Sequence, residues 1–171
     1  LFRSHYRDDR TIGMQEEVFK AISKEEVYNL TGNQFENFNT IFQLYSLVQK
    51  RPWILERADT LLLTPDLFNY FLTGEKKAEY TMASTTQLMD AKNKVWSDRI
   101  LDALRIPKKL LPEIVPSGTV VGTLRSSICE ELGVESAKVI AIAGHDTQSA
   151  VVSVPTQEED FIFISCGTWS L

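Results

Sequence analysis

The stretch Lys138-Val139-Ile140-Ala141-Ile142-Ala143-Gly144-His145-Asp146-Thr147 decides how the chain reads. Its first six residues make a short apolar run with β-branched members, the pattern of a buried strand. Gly144 breaks the run and three polar residues follow. Gln148 to Val154 then has the composition of a helix that Pro155 stops. A buried strand that ends in polar residues just before a helix is where α/β folds place ligand sites. There Asp146 can accept a proton from a substrate hydroxyl, and His145 and Thr147 can hydrogen-bond neighbouring hydroxyls. Asp146 can equally cap the helix, and the tetrapeptide taken alone favours that commoner use.

Outward from this segment the α/β character continues. Thr119 to Leu124 predicts a strand, Ser127-x-x-Glu130 caps a helix that Gly133 ends, and Asp160 to Ser165 predicts a second apolar strand turning at Cys166-Gly167. Gly167 beside Thr168 can present backbone N–H groups and a hydroxyl to a phosphate, or can be an ordinary hairpin turn.

Upstream the pattern is helical. Met14, Val18 and Ile22 recur at helical spacing, and Ser23-x-x-Glu26 opens a second helix that Thr31-Gly32 closes. Thr40-x-x-Gln43 opens an amphipathic helix with Ile41, Leu44, Tyr45 and Val48 on one side. Thr64-Pro65 starts another, running to Leu72 before Gly74, and Ser97 starts one with Ile100, Leu101 and Leu104 inward. Pro107, Pro112, Pro116 and Gly118 punctuate a linker. The loop from Asn33 to Asn39 mixes amides with aromatics, a combination suited to walling a polyol pocket and common in structural loops too. Tyr6 to Thr11 reads as a salt-bridged surface loop. The expected organisation is a helix-rich region over 1–117 and an α/β segment over 118–171, of α/β class.

Composition narrows the function. Of 171 residues, 43% are apolar and 24% charged, which excludes disordered, collagen-like and disulfide-scaffold classes. The net charge of −5, without a basic block, argues against a nucleic-acid partner. No apolar run approaches the ~18 residues of a membrane span, and the polar start from Leu1 to Arg10 does not read as a signal peptide. Cys129 and Cys166 have no metal-ligand spacing and read as reduced core residues, which suits the cytoplasm. The first residue is not methionine and the last follows an apolar run, so the chain is expected to be a piece of a longer protein.

Six segments in order resemble the FGGY carbohydrate kinases. These are Tyr6-x-Asp8-x-Arg10-Thr11, Leu63-Thr64-Pro65-Asp66, Phe71-Leu72-Thr73-Gly74-Glu75, Ala83-Ser84-Thr85-Thr86-Gln87-Leu88 with Asp90 and Trp96, Gly144 to Ala150, and Gly167-Thr168-Trp169-Ser170. Tyr6 departs from the family's more usual tryptophan. The resemblance implies an actin-like, ribonuclease-H-like ATPase fold, of which 1–171 is part of the N-terminal domain with a helix-rich insertion. It implies that Asp146 is the catalytic base rather than a cap, that His145, Asp146 and Thr147 bind a ketose, and that Thr168 contacts ATP. His145 and Thr147 point to the family members that phosphorylate the 1-hydroxyl of L-rhamnulose, with ATP and Mg²⁺. A metal site within 1–171 is not expected. The family's phosphate-binding hairpin would precede Leu1 and its adenosine-binding half would follow Leu171, so the piece alone would transfer no phosphate. The alternatives are a sister kinase for another ketose or polyol, and a non-catalytic sugar-binding module.

Overall fold

The computed structural model of the chain describes residues 9–158 and 160–167. A 3₁₀ turn (Asp9–Thr11) leads into helices α1 (Met14–Ala21), α2 (Lys24–Thr31), α3 (Thr40–Lys50) and α4 (Pro52–Arg57). Helices α1, α2 and α3 fall where their apolar spacing predicts, while α4, which starts on Pro52, was not foreseen. Ser23 Oγ accepts the Glu26 N–H, so the α2 capping box is present. With α7 (Asp98–Leu104), whose Ser97 cap accepts the Ile100 N–H, these helices bury one large apolar core. Phe42 is its centre, fully buried and edge-on to Phe19 at 6.1 Å.

The second layer begins with α5 (Thr64–Thr73), β1 (Lys77–Glu79) and α6 (Tyr80–Ser84), followed by the hairpin β2 (Met89–Asp90) and β3 (Val95–Trp96). The expected linker contains β4 (Glu113–Val115), which pairs in parallel with β1 and sets Glu79 opposite Val115. β5 (Val120–Thr123) and β6 (Lys138–Ile140) pair antiparallel, with α8 (Ser126–Leu132) between them and α9 (Asp146–Val152) after them. Helix α5 packs on β5 and β6. The core beneath them is small: Val115, Val121 and Ala141, with Val139 against it.

Several expectations shift. The position before α3 is Asn39, not Thr40, and that before α8 is Arg125, not Ser127. Thr64 is the first residue of α5 rather than its cap. The run from Lys138 is a strand only as far as Ile140 and is not buried: Ala141 alone of the run is enclosed, and Ile142 is 69% exposed, because among the described residues β6 pairs with β5 alone. Residues 161–165 form no strand, since none of the described residues pairs with them, and Ile162 stays 92% exposed. Both cysteines are free, as read, but neither is a core residue: Cys129 is half-buried and Cys166 exposed. Among the described residues no helix is long and apolar enough to cross a membrane.

Candidate functional site

A cleft of about 520 Å³ runs between the two layers. His145, Asp146, Thr147 and Ala150 line one side, with Ser165 and Gly167. Asn33, Gln34, Glu36, Phe38 and Asn39 line the other, with Thr85. The structure therefore brings the polar tetrapeptide and the amide–aromatic loop to one cavity. Thr168, Tyr6 and Asp8 lie outside the described residues. Arg10 and Thr11 are in the opening 3₁₀ turn, packed on α3 and not on the cleft.

Helix α9 starts two residues earlier than its composition suggests, and this settles where Asp146 sits. The cap position is His145, whose Nδ1 accepts the Thr147 N–H at 3.3 Å. Asp146 is the first helical residue, and its side chain is 97% exposed, opening into the cleft. Its Oδ1 accepts from Thr147 N at 2.7 Å, and lies 3.4 Å from His145 Nδ1. With Nδ1 engaged by Thr147, the His145 ring leaves Nε2 as its group for a ligand hydroxyl. The carboxylate, the imidazole and the Thr147 hydroxyl together suit a polyhydroxylated ligand, with the carboxylate as acceptor for one hydroxyl proton.

The opposite wall is pre-shaped by amides. Gln87 is fully buried and holds a left-handed backbone (φ 58°), an unusual conformation for a residue with a side chain. Its Nε2 donates to Asn33 O at 3.2 Å and its Oε1 accepts from Asn39 Nδ2 at 2.8 Å, so one side chain ties both ends of the loop. Gln43 Nε2 donates to Phe38 O, and Gln15 Nε2 to Asn37 Oδ1. A loop restrained at four points presents its outward groups without much ordering on binding.

Beneath the tetrapeptide lies a buried acidic pair that the sequence reading missed. Glu79 and Asp66 are each 2% exposed. Glu79 Oε2 accepts from Thr81 Oγ1 (2.5 Å), Met82 N (3.2 Å) and Gly144 N (3.2 Å), and Oε1 accepts from Ser117 Oγ. Asp66 Oδ1 accepts the Glu79 N–H at 2.9 Å, while Oδ2 has no partner among the described residues. Burial pushes the Asp66 carboxyl up to about 6, the Glu79 backbone bond opposes this, and the nearby Glu79 charge adds to it. Burial acts to raise Glu79 too, but the Ser117 and Thr81 hydroxyls with the backbone N–H groups outweigh it and hold it below its usual value. A signal existed: Asp66 follows a proline in the first turn of a helix, and Glu79 immediately precedes a helix, both places where carboxylates find N–H groups. Only the fold shows that they meet. Among the described residues no three His, Cys, Asp or Glu converge as a metal-ion site.

Residues 4–153 match the N-terminal domain of the FGGY family of carbohydrate kinases. The chain is 49% identical over 166 residues to a rhamnulokinase of Oceanobacillus iheyensis, covering 97% of this chain and 35% of that protein. It is 46% identical to a rhamnulokinase of Halalkalibacterium halodurans, over the same 97% and 35%. The chain thus spans about a third of the length of the curated relatives it matches. A crystal structure of gluconate kinase from Lactobacillus acidophilus superposes with a TM-score of 0.72 at 24% identity, covering 81% of this chain and 29% of that one. That likeness establishes a shared α/β fold.

Proposed function

The chain belongs to the FGGY family of carbohydrate kinases, as part of the N-terminal domain of their actin-like α/β fold, and from that premise we propose that the full-length protein transfers the γ-phosphoryl of ATP to the 1-hydroxyl of L-rhamnulose. The observation that carries this reading is the meeting of His145, Asp146 and Thr147 with the Asn33–Asn39 loop around one cleft. The relatives named as rhamnulokinases favour L-rhamnulose as the ketose.

In this reading the cleft holds the ketose, and residues 1–117 supply its sugar-side wall while 118–171 supply the catalytic segment. Asp146 accepts a hydrogen bond from the 1-hydroxyl and then takes its proton, as that oxygen bonds to the γ-phosphorus and the bond to ADP breaks. His145 Nε2 and the Thr147 hydroxyl fix the neighbouring sugar hydroxyls. Thr168 contacts the ATP phosphates. Phosphoryl transfer of this kind depends chiefly on alignment and charge stabilisation, so a single well-placed carboxylate is a sufficient base. Mg²⁺ commonly reaches such sites on the nucleotide phosphates with few protein ligands. Among the described residues no three His, Cys, Asp or Glu converge to hold it. The reaction belongs to the cytoplasm, where ATP is plentiful.

The test is ATP turnover by the full-length protein across a panel of ketoses and polyols, with Asp146→Asn alongside. L-rhamnulose should be the preferred acceptor, and the variant should lose at least about 10³-fold in kcat while still binding the sugar. An active Asn variant overturns the base assignment. Preference for another sugar overturns the rhamnulose assignment and keeps the kinase, and sugar binding without turnover indicates a binding module.

A further inference from the structure

Asp146 is almost wholly exposed, and among the described residues its side chain meets its immediate neighbours His145 and Thr147. Its aim therefore depends on the backbone that delivers it. Two consecutive N–H groups just before it are taken by one short segment some 65 residues away in sequence. Gly144 N donates to Glu79 Oε2, and His145 N donates to Thr81 Oγ1, both at 3.2 Å. Thr81 Oγ1 in turn donates to the same Glu79 oxygen. Thr81 thus sits in the middle of a relay from His145 N–H to the buried carboxylate. The approach is close enough that a Cβ on Gly144 would stand 2.9 Å from Met82 Cγ, so only glycine lets these bonds form undisturbed.

Resting on the reading of Asp146 as the base, the geometry points to Glu79 and Thr81 as its positioning pair. Neither touches the cleft; they hold the two peptide groups from which the Asp146 side chain is launched. Apolar packing gives this region little other support, since among the described residues the clusters around it, Ala78, Ala83 and Met89 on one side and Val115, Val121 and Ala141 on the other, are small. The carboxylate is suited to the task because it collects hydrogen bonds from β1–α6, from the Ser117 turn and from the Gly144 peptide at once. Displacement by about 1 Å of a group in a phosphoryl-transfer site lowers the rate by about 10²-fold.

The experiment compares Thr81→Val with Thr81→Ser in the full-length protein. Valine keeps the shape and removes the hydroxyl; serine keeps the hydroxyl. The expected result is a fall of about 10- to 100-fold in kcat for valine with sugar KM changed less than about threefold, and recovery to within about threefold of the parent rate for serine. Glu79→Gln is the second variant. It keeps the shape but removes the charge and turns one of the two accepting oxygens into an N–H₂ donor, so kcat should fall with sugar KM changed less than about threefold. Valine at parental rate, serine as impaired as valine, or Glu79→Gln at parental rate would each overturn the positioning role. Asp146→Asn in the same series separates the two ideas. If that variant is active, the base assignment fails; if it is inactive and Thr81→Val is not impaired, only the positioning pair fails.

Discussion

The helical layer and the layer that carries Asp146 are held together by different physics. In the first, α1 to α4 and α7 close around seventeen buried apolar residues among those described, and the backbone follows from where those side chains must go. In the second, the described residues form two small apolar clusters of three buried members each, and the strand end at Gly144 is placed by polar bonds to Glu79 and Thr81. Apolar burial is non-directional and tolerates small rearrangements, whereas a hydrogen bond fixes distance and angle. A carboxylate that must meet a hydroxyl benefits from the second kind of support.

The largest expected effect breaks the first layer. Phe42→Ala removes the ring at the centre of the helical core and should cost about 3–5 kcal/mol, read as a lowered urea midpoint of the full-length protein. A loss below about 1 kcal/mol would mean that this layer does not rest on its core. Next in size is Gln87→Ala, which unties both ends of the Asn33–Asn39 loop and leaves Asn33 O without the amide that served it. The expected cost is about 2 kcal/mol, with sugar KM raised several-fold and kcat affected less, since Asp146 hangs from the other layer. If kcat falls and KM does not, the loop is not a wall of the sugar site.

How far the residues revealed all this follows the same division. Helices whose signals are local were legible: the Ser23 and Ser97 caps and the glycines after α2, α5 and α8 lie where the sequence predicts. The Gly144–Thr147 segment was legible as a candidate because an apolar run, a glycine and three polar residues stand in one line, and the last three do line the cleft. β1 and β4 were not. Three-residue strands carry too little pattern, and what makes them strands is their pairing across 36 positions, Lys77 with Glu113. The start of α9 was misjudged because Asp146 reads equally as cap and as first helical residue; His145 capping through its ring is the less common choice. Glu79 was not singled out and Asp66 stood only within the Leu63–Asp66 segment, since carboxylates are seldom buried and only the tertiary fold brings these two together.

That acidic pair gives the smallest effect and the finest probe of the second layer. Asp66 has a carboxyl raised from its ordinary 3.8 to about 6. Between those values the folded protein keeps a proton that the unfolded chain has released, so this group's contribution is fully present below about pH 4 and is lost as pH rises through 6. Glu79 runs the other way. Its carboxyl is held below the ordinary 4.5, so its contribution is present at neutral pH and lost as the solution is acidified past that value. Asp66→Asn keeps an oxygen for the Glu79 N–H and removes the charge facing Glu79. Urea midpoints at pH 5 and pH 7.5 should then show the parent losing on the order of 1 kcal/mol more than the variant across that interval. Parallel behaviour of the two would mean that Asp66 does not titrate against the fold. The steeper parent curve would show that the buried Asp66 carboxyl, bonded to the Glu79 N–H, gives up its proton at a cost to the fold.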